Sequence, residues 1–322
     1  MEEVKLNRFE FVGDGTDFFI LRFVNRMLTG VTLGIYSAWA FVKEKQFLYR
    51  NTRFIGESFD YHGTGKERFI GTLKYLGIVL VLLVVIFGLV FLLEPKFGRK
   101  NAELVSSLFS YLIILPLTPY IIVAALRYRL SRTSYRSVRF RFIGTGNGFF
   151  KIIIVNFVLS VITLFFYTSW AYCNYFNYVA SHSLYGNRPF KFDGKGSELF
   201  GTYVSGFILT LVTCGIYAPW FYVNLRKYIV SHILFEGNRF SLKTLTGEMV
   251  FGVMFKNILF IIFTFGFYFP WAVINLRKLI LSHLVYEGDI DFDSIIGSFS
   301  QAEALGDVAT DLGDMALPGD GL

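Results

Sequence analysis

The chain alternates between apolar stretches and short polar ones, and the alternation repeats. Trp170, Trp220 and Trp271 lie 50 and 51 residues apart, and Trp39 heads an earlier copy. Seven positions before each Trp stands a threonine (Thr32, Thr163, Thr213, Thr264), and three before it a tyrosine (Tyr36, Tyr167, Tyr217, Tyr268). A worn fifth copy carries Pro119-Tyr120 at the Trp position. Self-similarity of this kind marks a repeat architecture. Within each copy an apolar run leads into the Thr-to-Trp element and a more polar run follows. Residues 149–167, 200–217 and 251–268 are each about long enough, at 1.5 Å per residue, to cross a hydrocarbon core of ~30 Å. The run after each Trp extends to about Tyr185, Glu236 and Glu287, so each copy is predicted to be a helical hairpin. The second copy is longer. Residues 71–93 form the most obvious span and residues 94–101 a loop, and the return segment carries Pro116 and Pro119, which are expected to kink it.

A second motif sits between the copies: Phe, a second aromatic two residues on, then Gly-x-Gly. It runs from Phe9 to Gly15, Phe59 to Gly65, Phe140 to Gly146 and Phe190 to Gly196, with Phe240-Ser-Leu242 and Asp291-Phe292 as worn copies. Alternating aromatic and polar residues read as a short strand, and the glycines as its closing turn. A Gly-x-Gly before a helix also suits phosphate, but the Walker spacing is missing here and that reading is the weaker one.

Composition places the chain in a class. It is 54% hydrophobic, with a mean hydropathy of +0.51, 38 Phe and 19 Tyr, which belongs to membrane proteins. The net charge of +7 is better explained by positive-inside loops than by nucleic acid. Cys173 and Cys214 are the only cysteines, so no disulfide framework or cysteine zinc site is expected. The charged start, Met1 to Arg8, is not followed by a short apolar region with a cleavage site, so no removable signal peptide is expected. Of the 31 Lys and Arg, only Lys96, Arg99 and Lys100 fall near a hairpin tip, leaving 31 − 3 = 28 on the strand side or on helices leading to it. An even number of crossings per copy keeps that side constant, and the positive-inside rule makes it cytoplasmic.

The expected fold is an all-α polytopic membrane protein of five parallel-repeat helical hairpins, about ten helices, with short β motifs on the cytoplasmic face. It occupies residues 1–297, in units of about 9–58, 59–139, 140–189, 190–239 and 240–297. Both termini lie on the cytoplasmic side of a bacterial inner membrane, and the acidic residues 298–322 form a disordered tail.

Positions four, seven and eleven after each Trp share a helix face. They hold Lys43, Gln46 and Arg50; Asn174, Asn177 and Ser181; Asn224, Lys227 and Ser231; and Asn275, Lys278 and Ser282. This polar stripe reads either as hydrogen bonding between helices or as the wall of a path for an anionic solute or lipid. His182, His232 and His283 are expected to cap helices rather than to hold a metal. Nucleophile, paired-carboxylate and metalloprotease patterns are missing, so no enzyme and no cofactor is expected. The tyrosines and tryptophans of the turns are expected at the far interface. Two functions remain: a conduit, or a non-transporting scaffold whose partners are membrane lipids and another membrane protein.

Thr32-Leu-Gly-Ile-Tyr36-Ser-Ala-Trp39 and Thr213-Cys-Gly-Ile-Tyr217-Ala-Pro-Trp220, combined with the aromatic Gly-x-Gly motif, resemble the YjgN family of bacterial inner-membrane proteins. The likeness covers residues 9 to 297. It implies a multi-pass protein of the cytoplasmic membrane with no assigned activity, and hence no catalytic residues to carry over. Pro119-Tyr120 and Phe165-Phe166 depart from the pattern.

Overall fold

The computed structural model describes residues 6–292, 294 and 295, so the tail expected over 298–322 lies outside the described residues. Each repeat is a strand, two helices and a strand. The first is β1 (Leu6–Phe11), α1 (Gly15–Val31), α2 (Ser37–Arg50) and β2 (Thr52–Phe54). The second is β3 (Glu57–Tyr61), α3 (Gly65–Phe97), α4 (Arg99–Ser131) and β4 (Thr133–Tyr135). The third is β5 (Val138–Phe142), α5 (Gly146–Ile162), α6 (Thr168–Ser181) and β6 (Ser183–Tyr185). The fourth opens on a strand interrupted at Phe190, β7 (Arg188–Pro189) and β8 (Lys191–Phe192), followed by α7 (Gly196–Val212), α8 (Ala218–Ser231) and β9 (Ile233–Phe235). The fifth is β10 (Asn238–Ser241), α9 (Gly247–Phe263), α10 (Phe269–Ser282) and β11 (Val285–Glu287).

The strands are not isolated motifs on an all-α protein. All eleven form one antiparallel sheet in the order β7-β6-β5-β4-β3-β2-β1-β11-β10-β9-β8. Its two ends flank Phe190, so the sheet is a nearly closed ring. β1 closes the chain onto its own end, with Leu6 opposite Glu287 and Arg8 opposite Val285. The helices follow the same circuit: each packs on its neighbours in sequence, and α10 returns to α1.

Register fixes the direction of every repeat. The strand ends that join helices face one another at one rim: Phe11 with Thr52, Tyr61 with Thr133, Phe142 with Ser183, Phe192 with Ile233 and Ser241 with Val285. At the other rim run tight turns, such as Ile55-Gly56 and Glu236-Gly237, with both residues left-handed. All five hairpins therefore leave from the same rim.

The ring has an aromatic centre. Phe54, Tyr135, Tyr185, Phe235 and Tyr286, one from each repeat, are buried together, and Phe9, Phe59, Phe140, Phe190 and Phe240 pack against them. Phe9 stacks on Phe54 with ring centres 4.3 Å apart. The tyrosines also tie repeat to repeat. Tyr135 donates to the Phe54 carbonyl (2.5 Å), Tyr185 to that of Tyr135 (2.8 Å) and Tyr286 to that of Phe235 (2.8 Å). Burial pushes all three phenols above their ordinary range, so they remain donors. Ile290, Phe292 and Ile295 complete the plug.

Two boundaries differ from expectation. The helices after the Trp positions stop at Ser181, Ser231 and Ser282, short of Tyr185, Glu236 and Glu287. The histidine that follows donates from Nδ1 to the carbonyl four residues back, Tyr178 (2.8 Å), Tyr228 (2.7 Å) and Leu279 (2.7 Å), taking up a helix-end acceptor. The capping expected of these histidines is thus present, and the next three residues pair as strands. In the second repeat the loop expected over 94–101 shrinks to Gly98, left-handed at φ 75°, because helix continues to Phe97 and resumes at Arg99. α4 stays one helix through Pro116 and Pro119.

Candidate functional site

The Gly-x-Gly motif is explained by packing. Its middle residue caps the first helix in the first three repeats, where Asp14, Thr64 and Thr145 accept the N–H of Thr16, Glu67 and Gly148; Thr246, before Gly247, accepts that of Met249 in the fifth, and Lys195 of the fourth makes no side-chain cap. The Asp14 carboxyl is held below its ordinary range by the Thr16 N–H. The second glycine is where the preceding repeat leans in. A Cβ on Gly65 would collide with the Trp39 indole, on Gly196 with Trp170 and on Gly247 with Trp220, and Tyr120 fills the same place beside Gly146. Trp271 does this to Gly15 and so closes the circle. Each Trp then lies against the aromatic four residues further on, as Trp220 does with Phe251 at 5.1 Å and Trp271 with Phe19 at 4.7 Å. Within its own turn it stacks on the tyrosine three before it, Tyr36, Tyr167, Tyr217 and Tyr268, at 5.7–6.3 Å. The repeat anchors are staples between adjacent repeats.

The four short hairpin tips share one hydrogen-bond plan. In the fourth repeat, Thr213 donates its N–H to Leu209, Cys214 to Leu211, Gly215 to Thr210, Ile216 to Thr213 and Ala218 to Gly215. The remaining N–H, that of Tyr217, goes to the Thr213 hydroxyl at 3.0 Å, and this hydroxyl donates to the Leu209 carbonyl at 2.7 Å. Thr32, Thr163 and Thr264 do the same for Tyr36, Tyr167 and Tyr268. Every backbone N–H from each threonine through the five residues after it is therefore paired inside the tip. Around this closed backbone the side chains are apolar and bare: Leu33 and Phe265 are each 94% exposed and Leu164 78%. No Asp, Glu, Lys or Arg occurs over 27–42, 152–187, 199–225 or 257–276. The α3–α4 tip is the opposite, with Glu94, Lys96, Lys100 and an Arg99–Glu103 ion pair at 3.0 Å.

Apart from Arg50, which reaches Asp60 on β3 of the next repeat, the hydrogen bonds of the polar stripe stay within their own hairpins. Asn174 donates to Asn156 of α5 (2.9 Å), and Asn275 to Asn257 of α9 (3.2 Å) and to the Tyr268 hydroxyl (3.2 Å). Ser181, Ser231 and Ser282 bond back to carbonyls of their own helices. In the first repeat Lys43 donates to the Tyr36 hydroxyl (2.8 Å) and Arg50 to Asp60 (2.9 Å). In the fourth repeat Gly206 stands where the first, third and fifth have Asn25, Asn156 and Asn257, its space filled by Phe221, and Asn224 has no hydrogen bond among the described residues. Lys227 and Lys278 likewise form no ion pair among them. Asn174, Asn177 and Ser181 come together with Lys151, Asn156 and His182 around an open cavity of about 480 Å³ between α5 and α6. Lys151, Asn156 and Tyr178 of this cavity lie outside the sequence-predicted stripe. Period-fifty comparison finds the Asn25, Asn156 and Asn257 series, which was the available signal. Among the described residues no group of three His, Cys, Asp or Glu is placed to hold a metal.

Known proteins give this geometry a context. The profile of a family described as "Bacterial protein of unknown function (DUF898)" matches residues 6–195, 187–252 and 221–312. A protein named "Inner membrane protein YjgN" from Salmonella typhimurium is 33% identical over 132 residues, 41% of this chain and 30% of that protein. The protein of that name from Escherichia coli strain K12 is 29% identical over 170 residues, 52% of this chain and 39% of the relative. The matched segments thus take in well under half of these relatives' length. No solved structure matches the chain.

Proposed function

The chain belongs to the DUF898 family of bacterial proteins of unknown function, and from that premise we propose that it is an inner-membrane protein that engages the lipid of one leaflet rather than conducting a solute. The relatives named as inner-membrane proteins support the location. α3 and α4 are the two described helices long and apolar enough to cross a membrane. Residues 75–93 carry no charge and span ~28 Å as helix, close to the ~30 Å core, with Lys74 before them and Glu94 after.

The observation that carries the proposal is that every backbone N–H of the four short tips is paired within the tip. Irregular backbone exposed to lipid must satisfy its polar groups internally, since no water is there to do so. Apolar tips whose own residues carry no charge and whose N–H groups are all paired suit hydrocarbon, with Lys43 reaching the Tyr36 hydroxyl of the first tip from the helix behind it, whereas a tip that emerged into water would be polar, as that of α3–α4 is. First helices of 17 residues reach ~25 Å at most. Rising from a rim among the headgroups, they end near the bilayer midplane. One hairpin crosses and four dip into the leaflet beside the sheet ring, in place of the five membrane-crossing hairpins expected from sequence. The excess of Lys and Arg on the ring side supports a cytoplasmic ring.

A conduit fits poorly with this arrangement, because four of five hairpins stop half-way and the ring is filled by aromatics. The non-transporting reading, with membrane lipids as partners and the charged outer face of the ring free to meet a membrane protein, fits it. Reconstitution of the purified chain into vesicles loaded with chloride or phosphate tests the choice. Efflux equal to that of protein-free vesicles is expected, and protein-dependent efflux would restore the conduit.

A further inference from the structure

The cavity between α5 and α6 has a donor excess. Asn174 uses its amide N–H on the Asn156 carbonyl oxygen, Ser181 donates to the Asn177 main-chain carbonyl (2.6 Å), and His182 Nδ1 to that of Tyr178 (2.8 Å). This leaves the Asn156 amide nitrogen, the Asn177 side-chain amide and the Lys151 ammonium without a partner among the described residues. Asn156, only 6% exposed, lines the cavity from α5, and Lys151 and Asn177 are exposed beside it. No carboxylate lines the space. Lys151 and Asn177 therefore offer exposed donors to whatever enters the groove, and one bound anion would bring an acceptor to them and to Asn156.

Depth narrows the choice of anion. Lys151 lies twelve residues before Thr163 and Asn177 ten after Tyr167, or ~18 Å and ~15 Å along their helices from the tip. With tips at the midplane of a ~30 Å core, this is the level of the lipid headgroups. We infer that the α5–α6 groove binds a phosphate group through Lys151, Asn156 and Asn177, carried by an anionic lipid headgroup or free in solution. Lys151 supplies the charge, and the two amides supply directed N–H donors to the remaining oxygens. The site rests on the leaflet-inserted reading only for its lipid form.

Two titrations of the full chain in detergent test it: inorganic phosphate followed by ³¹P line broadening, and phosphatidylglycerol counted by native mass spectrometry. Lys151→Gln is expected to weaken binding about tenfold, and Asn177→Leu severalfold. Lys66→Gln, an exposed charge at the start of α3, is the control and is expected to leave binding unchanged. Lipid binding that Lys151→Gln alone diminishes, with phosphate silent, assigns the site to headgroups. Phosphate binding that it diminishes, with lipid indifferent, assigns the site to the free anion. If neither ligand responds to Lys151→Gln, or Lys66→Gln costs as much, the site is refuted. A chain that stays dispersed without detergent would refute the membrane reading, yet leave the phosphate titration readable.

Discussion

Threonine at the hairpin tips acts through one oxygen in two directions, and this makes it hard to replace. Thr213 accepts the Tyr217 N–H while donating to Leu209. Thr213→Val keeps the shape and leaves that N–H unpaired, at an expected cost of about 1–3 kcal/mol, whereas Thr213→Ser should keep most of the stability. Thermal unfolding in detergent separates the two. Equal losses for Val and Ser would count against the pairing argument. Phe165 is the second informative residue. It holds φ 69° where the other tips have Gly34, Gly215 and Gly266, a backbone that costs a side-chain-bearing residue about 1–2 kcal/mol. Phe165→Gly is therefore expected to raise the melting temperature despite removing an apolar side chain, since that side chain is 68% exposed. A lowered melting temperature would mean that Phe165 contributes contacts worth more than its strain.

Among elements, the contact of each Trp with the helix start of the next repeat decides how hairpins join. Gly196→Ala should be destabilising by about 1–3 kcal/mol, because the new methyl meets the Trp170 ring and backbone. Trp170→Phe should relieve part of that cost, so a double-mutant cycle in unfolding free energy is expected to be non-additive; strict additivity would place the cost elsewhere. The sequence made the anchors visible, since Tyr167, Trp170 and Gly196 recur at fixed spacing. It hid their partnership, which runs between repeats and leaves no local pattern. The strand triplets Ser183-Leu-Tyr185 and Ile233-Leu-Phe235 were also hidden. Three residues are too few for alternation to speak, and what makes them strands is pairing with residues from neighbouring repeats. The polar stripe was legible as a face. That Asn156 completes it from the opposing helix could be read only by comparing the first helices of the repeats with one another.

On the scale of the whole molecule, ring closure and depth in the bilayer govern the rest. Fifty-residue periodicity gave five units pointing one way, which the register of the sheet bears out. Periodicity carried no sign that the first and last units meet, because β1 with β11 and Trp271 with Gly15 are contacts between the two ends of the chain. By length alone a run of eighteen or so apolar residues reads as a crossing, whereas the proposed leaflet insertion rests on the 17-residue helix inside it and on the turn without charge that ends it. Cys214 sits in such a turn and is exposed, while Cys173 is buried. In a Cys173→Ala background Cys214 becomes the sole thiol, and Asn101→Cys marks the charged α3–α4 tip. Thiol labelling of oriented membrane vesicles should show Cys214 reacting with a lipid-soluble maleimide and refusing an impermeant one from either face, with the cysteine at 101 tagged from the periplasmic side. Modification of Cys214 by the impermeant reagent from that side would mean that the short hairpins cross, and that the leaflet-inserted crown is wrong.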